Sequence, residues 1–429
     1  MPLQNCLATL ILTQILSHGI LAVAVLAQDT KGWSLVSSFR DPVLDEDGGL
    51  WFVHPITPGA PIPVTGLGDD LTGAGSSDRE GANCVLVDRG DGALLVGEAG
   101  PSGTRIDLHV IYLSGTAVLS DTLIKLGTET SPFGGGITQI ALLPAGRVLA
   151  GVFGIGLGPL KDQLLGVVDR SDGSVVGVPV SFPNGATPAL NALCISADGA
   201  TAWFAMDNGD FTSTLYSVPV PAGGTANVHD TLPVLVSSLI LDRSRGLLCA
   251  SGLEGTQSGN ILEIDPESGV LLDIVTTGMT RLNGMCNDYA RHRSMTVTSS
   301  LGSPSRTVSA VEWDGSSTSL AVVSGSASGV DLSALALAAN PTQVHAGETL
   351  SLLADGGVPS TTSLLAAVSV NGTPVFLALA LGALDFEGAW NLLATVPPGL
   401  SGTSVTFQSF GFFHSGKALG TNLAPVIFQ

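Results

Sequence analysis

Positive charge is scarce in this chain: 16 Lys and Arg stand against 36 Asp and Glu over 429 residues, a formal net charge of −20. So acidic a surface repels a phosphate backbone and argues against nucleic acid as a partner, leaving solubility outside a cell or attraction of cations. Charge of either sign is thin, at 12% of residues, about half the usual share. Cysteine is sparse too. Cys6 lies near the N-terminus, and Cys84, Cys194, Cys249 and Cys286 form no CxxC pair, which removes zinc-ribbon and dithiol chemistry. Each of these four sits in an apolar, strand-like run and is expected as a buried thiol; a Cys249–Cys286 disulfide stays open for an oxidising compartment. HExxH, GxSxG and Walker patterns are missing. His54, His109, His229, His292, His345 and His414 are scattered without metal-ligand spacing, and His54 reads as a turn or surface histidine. Windows rich in Ala, Glu, Lys and Leu are absent after the N-terminus, which argues against a helical bundle.

Apolar residues are plentiful at 45%, with 55 Gly and 24 Pro, a composition suited to many short strands joined by tight turns. Residues 6–27 read CLATLILTQILSHGILAVAVLA. Val25 and Ala27 before Gln28 suit a signal-peptidase site, although the preceding MPLQN lacks Lys and Arg. Residues 1–27 are therefore expected to be a signal peptide, with an uncleaved anchor as the alternative, and the mature chain holds no membrane-spanning stretch. The expected location is secreted, cell-surface or periplasmic.

A motif recurs along the first three-quarters of the chain: an apolar run, a turn with Asp and Gly, and a second apolar run. It appears as DPVLDEDGGLWFVH from Asp41, NCVLVDRGDGALLVGE from Asn83, TQIALLPAGRVLAGVF from Thr138 and NALCISADGATAWFAM from Asn191. SSLILDRSRGLLCAS from Ser237 and NGMCNDYARHRSMTVTS from Asn283 complete the series. The spacing, roughly 40 to 55 residues, is that of a four-stranded propeller blade. Outer hairpins follow, such as NILEIDPESGVLLDIV from Asn260. The pattern predicts an all-β chain: a six-bladed β-propeller over residues 28–325, in which GWSLVSSF supplies a strand that closes the ring. A linker over 326–336 follows, then a small immunoglobulin-like β-sandwich over 337–429.

In a propeller the innermost strands line a central channel. Their first residues read Asp41, Asn83, Thr138 or Gln139, Asn191, Ser237 or Ser238, and Asn283, a ring of small oxygen-bearing side chains. Hard cations such as calcium bind such oxygens; Asn and Asp also cap turns at strand entries. Asp41, Asn191 and Asn283 are the candidate metal ligands, and Asn83, Thr138, Gln139, Ser237 and Ser238 the candidate channel lining. A divalent cation such as calcium is the sole cofactor the pattern invites. The acidic turns at 45–48 and 207–210 read as hairpin turns.

Four of these segments resemble the senescence-marker/gluconolactonase/strictosidine-synthase group of six-bladed propellers. NALCISADGATAWFAMD is similar to that group's Asn-Gly-x-x-x-Ser-x-Asp-Gly signature, and NGMCNDYARHRSM to its Asp-Gly-Met-x-x-Asp segment. DPVLDEDGGLWFV resembles its opening Glu-Gly-Pro-x-Trp segment, and PAGRVLAG its Pro-x-Gly-Arg turn. The resemblance spans roughly residues 35–325. It implies a divalent cation at the channel rim held by Glu, Asn and Asp, and hydrolysis of lactones or related esters. The family Asn falls on Asn191, the Asp on Asn283, and the Glu near Asp41 or, aligned on Pro42, on Arg40. Two of the three ligands are thus altered, and an amide in place of a carboxylate weakens a divalent site. The segment from Val396-Pro397-Pro398-Gly399 to Phe407, with the chain-terminal strand, resembles the β-domains that end many large secreted bacterial proteins.

The favoured expectation is a secreted or cell-surface binding or scaffold protein for carbohydrate, peptide or another surface protein. The alternative is a divalent-metal-dependent lactonase or esterase with its site at the channel rim, so whether the chain is an enzyme stays open.

Overall fold

The structure is a computed structural model, and it describes residues 33–40, 46–74, 80–101, 103–131, 134–183, 189–253, 259–279, 282–300, 303–324, 326–333, 336–412 and 418–429. The leader expected over residues 1–27 and the candidate ligand Asp41 lie outside these residues.

The fold is all-β and propeller-like. Four-stranded antiparallel units follow one another along the chain, each built from two hairpins. The fourth unit runs Leu190–Ile195, Thr201–Asp207, Ser213–Pro219 and Asn227–Leu232 from inside outward. The fifth runs Leu235–Asp242, Leu247–Leu253, Gly259–Ile264 and Leu271–Thr276, and the next Leu282–Asp288, Arg293–Ser300, Ser303–Glu312 and Ser317–Val322. The second unit (Gly81–Val87, Leu94–Gly100, Arg105–Ser114, Ala117–Glu129) and the third (Gly135–Leu143, Arg147–Phe153, Leu165–Asp169, Val175–Val178) follow the same scheme.

Ring closure departs from the expectation. The stretch 326–336, read as a linker, contains the strand Ser326–Ser333, which pairs antiparallel with Trp33–Phe39 from Trp33↔Ser333 to Phe39↔Ser326. Trp33–Phe39 pairs Gly49–Val53, which pairs Ile62–Pro63. The first unit therefore takes its innermost strand from far along the chain, and the DPVLDEDGGLWFV segment supplies its third strand rather than its inner one. Pairing the last strand with the first covers two edges that would otherwise stay open, the physical reason for closing a ring this way.

Apolar residues alternate with the pleat and fill the spaces between successive units. Leu193, Ile195, Phe204 and Met206 of the fourth unit pack against Ala141, Leu149 and Leu165 of the third. The other face of the fourth unit, through Ala192, Trp203 and Leu215, meets Leu239, Leu248 and Leu262 of the fifth. Cys84, Cys194, Cys249 and Cys286 are buried and unbridged, so the disulfide alternative does not hold. Burial pushes the Cys84 thiol up to about 12. Such thiols are packing groups at neutral pH.

The remainder folds as two packed sheets. One holds Ala336–Asn340, Thr349–Asp355 and Trp390–Thr395. The other holds Gln343–Val344, Ala424–Phe428, Ser404–Phe412, Thr362–Val370 and Thr373–Ala383, with Ala418–Gly420 at one end. Leu337, Leu352 and Ala354 of the first meet Leu365, Phe407 and Val426 of the second in one core. Among the described residues no helix is long and apolar enough to cross a membrane.

Candidate functional site: the central channel and its two faces

The inner strands surround a cavity of about 160 Å³, lined by stretches such as Val85–Val87, Gln139–Leu142, Leu193–Ile195, Leu239–Leu241, Met285–Asn287 and Val330–Asp331. An innermost strand has no neighbour on its axial edge, so its backbone groups there need other partners. Side chains of adjoining units supply them. Asn83 donates to the Ile137 carbonyl at 2.8 Å and Ser328 to that of Ala82 at 3.2 Å, and Ser237 donates to the Leu282 carbonyl. Deeper in, Gln139 spans three units: its amide donates to the Leu239 carbonyl and accepts from the Leu193 N–H, each at 3.0 Å. Asp331 accepts from the Val87 N–H at 2.7 Å, and Asn287 donates to the Leu241 carbonyl at 3.1 Å.

Asn83, Thr138, Asn191, Ser237 and Asn283 each occupy the irregular step in the pairing of their inner strand, the register shifting across each of these residues. Ser328 occupies the corresponding step in the closing strand and so holds the place assigned to Asp41. Where Thr138 and Gln139 were alternatives, Thr138 takes the ring position, donating to the Gly151 carbonyl at 3.0 Å, while Gln139 enters the channel. Ser237 likewise takes the ring position, whereas Ser238 is buried opposite Ser251 within its own sheet. The Asn191 amide has no hydrogen-bond partner among the described residues, unlike Asn83.

Ions hold the opposite mouth. Arg89 and Arg243, just beyond their inner strands, reach carboxylates of the C-terminal region. Arg89 pairs with Asp355 at 2.8 Å, and Arg243 pairs with Asp385 and Glu387. Tyr289 accepts from the Arg243 N–H at 3.1 Å and donates to the Leu241 carbonyl at 3.3 Å. Phe386, between the two acidic residues, packs against the third and fourth units and under Arg243. Gly199, beside Phe386, has φ of +72°, and a Cβ there would meet the Pro144 ring at 2.6 Å before the Phe386 ring at 3.2 Å, so the turn requires glycine. Burial pushes the carboxyls of Asp331, Asp355 and Glu387 up, against the pull of Arg89 on all three. None of these residues belongs to a local motif; Arg89 and Asp355 lie 266 positions apart.

The face carrying the ring holds a cleft of about 960 Å³ between the third and fourth units. Thr130, Ser131, Phe153, Ser181, Phe182 and Thr225 line it, with Asp162 as its one charged lining residue among those described. This volume lies at the upper end of the range for small-molecule sites. Other expected features resolve simply. His54 accepts from the Thr57 N–H at 2.9 Å, which makes it a turn histidine. Asp207 accepts from the Gly209 N–H at 2.7 Å within its hairpin.

A further cluster was not foreseen. Buried His109, read as one of several scattered histidines, lies 3.2 Å from Glu98 and 3.8 Å from Asp70 through Nε2, and 2.9 Å from Asp121 through Nδ1. Burial alone would depress its pKa, but the Asp121 and Glu98 hydrogen bonds outweigh that and raise it to about 9.

No family model matches the sequence, and no curated protein matches it. Solved structures do match: TolB from Acinetobacter baumannii, at 12% identity and TM-score 0.47, over 71% of this chain and 67% of that one. Another is the extracellular domain of the putative one-component system BT4673 from B. thetaiotaomicron, at 10% identity and TM-score 0.36, over 90% of this chain and 60% of that one.

Proposed function

We propose that this chain is a secreted or cell-surface six-bladed β-propeller with an immunoglobulin-like C-terminal sandwich, acting as a binding or scaffold protein. The observation that carries this reading is the asymmetry of the two faces. The C-terminal region closes one mouth of the channel through Arg89–Asp355, Arg243–Glu387 and Phe386, which leaves the ring face and its cleft for a ligand. That cleft pairs aromatic surface with hydroxyls and one lining carboxylate, chemistry suited to an uncharged, hydroxyl-bearing ligand such as a carbohydrate. The leader at residues 6–27 supports export. The likeness to the senescence-marker group supports the propeller more than hydrolysis, because Asn283 stands where that group has Asp.

The test presents residues 28–429 to immobilised glycans and peptides, beside a lactone and ester panel with calcium, magnesium, manganese and zinc. The reading predicts saturable binding, lost in Phe182→Ala, and no turnover with any metal. Metal-dependent turnover abolished by Asn191→Ala would replace it with the hydrolase reading.

A further inference from the structure

Glu98 lies on the second strand of the second unit, His109 on the third and Asp121 on the fourth. Val96 and Ile111, which flank Glu98 and His109 on the same face, pack with Leu35 and Leu50 of the first unit. The one-turn helix Asp69–Thr72, in the connection between the two units, adds Leu71 to this core and Asp70 to the polar cluster. His109 and Glu98 are buried, while the Asp70 side chain is 44% exposed.

Each group is held in place. Oε1 of Glu98 accepts from the Asp107 N–H at 2.6 Å, which turns Oε2 toward His109. Oδ1 of Asp70 accepts from the Leu71 N–H at 3.0 Å, leaving Oδ2 for the cluster. A Cβ on Gly68 would lie 2.4 Å from that Oδ1, so a side chain there would make the Asp70 carboxylate shift. The imidazole is oriented by Asp121 at Nδ1, which leaves Nε2 facing Glu98 and Asp70. This carboxylate–histidine relay is the usual support of a metal-bound histidine.

Geometry and charge agree. Ligand atoms of Asp70, Glu98 and His109 lie within 4.8 Å of one another. Tetrahedral zinc with bonds of about 2.0–2.1 Å sets its donors about 3.3 Å apart, close to the 3.2 Å between His109 and Glu98; drawing in the exposed Asp70 closes the remaining gap. Among the described residues, Asp70, Glu98 and Asp121 form ion pairs with His109 alone. One imidazole therefore faces three carboxylates, and a divalent ion between them would offset their charge.

We propose that Asp70, Glu98 and His109 bind one divalent ion of the zinc class, with solvent in the fourth position on the Asp70 side, and that the ion fastens the Asp69–Thr72 helix onto the junction of the first two units. One nitrogen and two carboxylates favour zinc over calcium, which takes six or more oxygens. This site is separate from the channel ring and stands whether or not the cleft binds a carbohydrate.

The test is calorimetric titration of the chelator-stripped protein with zinc chloride, repeated with Asp70→Asn, His109→Gln and Asn191→Ala. Asp70 is exposed enough that Asp70→Asn keeps the fold, which circular dichroism checks. The expected result is one zinc per chain, a higher melting temperature with zinc, affinity weakened about tenfold or more in Asp70→Asn, and no change in Asn191→Ala. Absence of zinc uptake, or uptake unaffected by Asp70→Asn, overturns the site; the cluster is then a histidinium held by carboxylates. Loss of binding in Asn191→Ala alone moves the ion to the channel ring and equally overturns it.

Discussion

The two mouths of the channel answer one problem with different chemistry. At the ring face, neutral groups such as Asn83, Ser237 and Ser328 donate to the carbonyls of the adjoining sheet, each a short-range latch. At the far face the partners are ions drawn from the C-terminal region, with Arg89 and Arg243 of the propeller-like part meeting Asp355, Asp385 and Glu387. Neutral latches are individually weak and replaceable. Buried ion pairs resist the loss of one partner far more strongly, because the survivor is left charged and uncompensated. The contrast is between one face tied to the C-terminal region and one that is not.

Breaking the ionic mouth has the largest expected effect. Arg89→Met leaves the buried Asp355 carboxylate unpaired and should cost about 3–5 kcal/mol, read by denaturant unfolding, with faster proteolysis between the two parts of the chain. A loss under 1 kcal/mol would show that the ions do not couple them. Next comes the plug itself: Phe386→Ala should cost about 2 kcal/mol, less than a fully buried aromatic because the ring is only partly covered. At the ring face, Asn83→Ala should cost about 1 kcal/mol by stranding the Ile137 carbonyl. Asn191→Ala, whose amide has no described partner, should stay within about 0.5 kcal/mol. Equal losses at the two positions would erase the distinction between latch and free ring member.

The smallest effect is on pH dependence, and it has opposite signs in the two kinds of carboxylate. Burial raises the pKa of Glu387 in the folded protein. The unfolded chain releases that proton first, so this contribution is present below 4.5, the ordinary glutamate value, and is lost as pH rises. Asp198 in its hairpin turn is held low by Ser196 and the Ala200 N–H. Its contribution is present above the ordinary aspartate value of 3.8 and fades as pH falls. Melting curves across this range should show Glu387→Gln losing less stability than the parent as pH rises above 4.5, and Asp198→Asn losing less as pH falls below 3.8. Parallel curves for parent and Glu387→Gln would mean that burial at the plug does not govern its protonation.

Local chemistry was readable where the answer lay within a hairpin. The run from Asn191 to Asp207 announces two strands and a turn because alternation and the Asp198-Gly199 turn are properties of neighbours in sequence. The strand-entry positions Asn83, Asn191 and Asn283 open recurring motifs for the same reason, whereas the choice between Thr138 and Gln139, and between Ser237 and Ser238, waited on the register of their strands. Ser328 was not legible, since it stands in a Ser-Gly-Ser-Ala-Ser-Gly stretch that reads as linker by composition. Only its pairing with Trp33–Phe39 makes it a strand.

By itself, then, the sequence determined the all-β class, the period of the sheets and the acidic composition, because strand alternation and turn chemistry are local. Tertiary structure alone decided which strand closes the ring, that Arg89 and Arg243 face the carboxylates of the C-terminal region, and that Asp70, Glu98 and His109 converge. Those pairings join residues remote in sequence or on separate strands, and their energies arise only after the sheets have packed and excluded water.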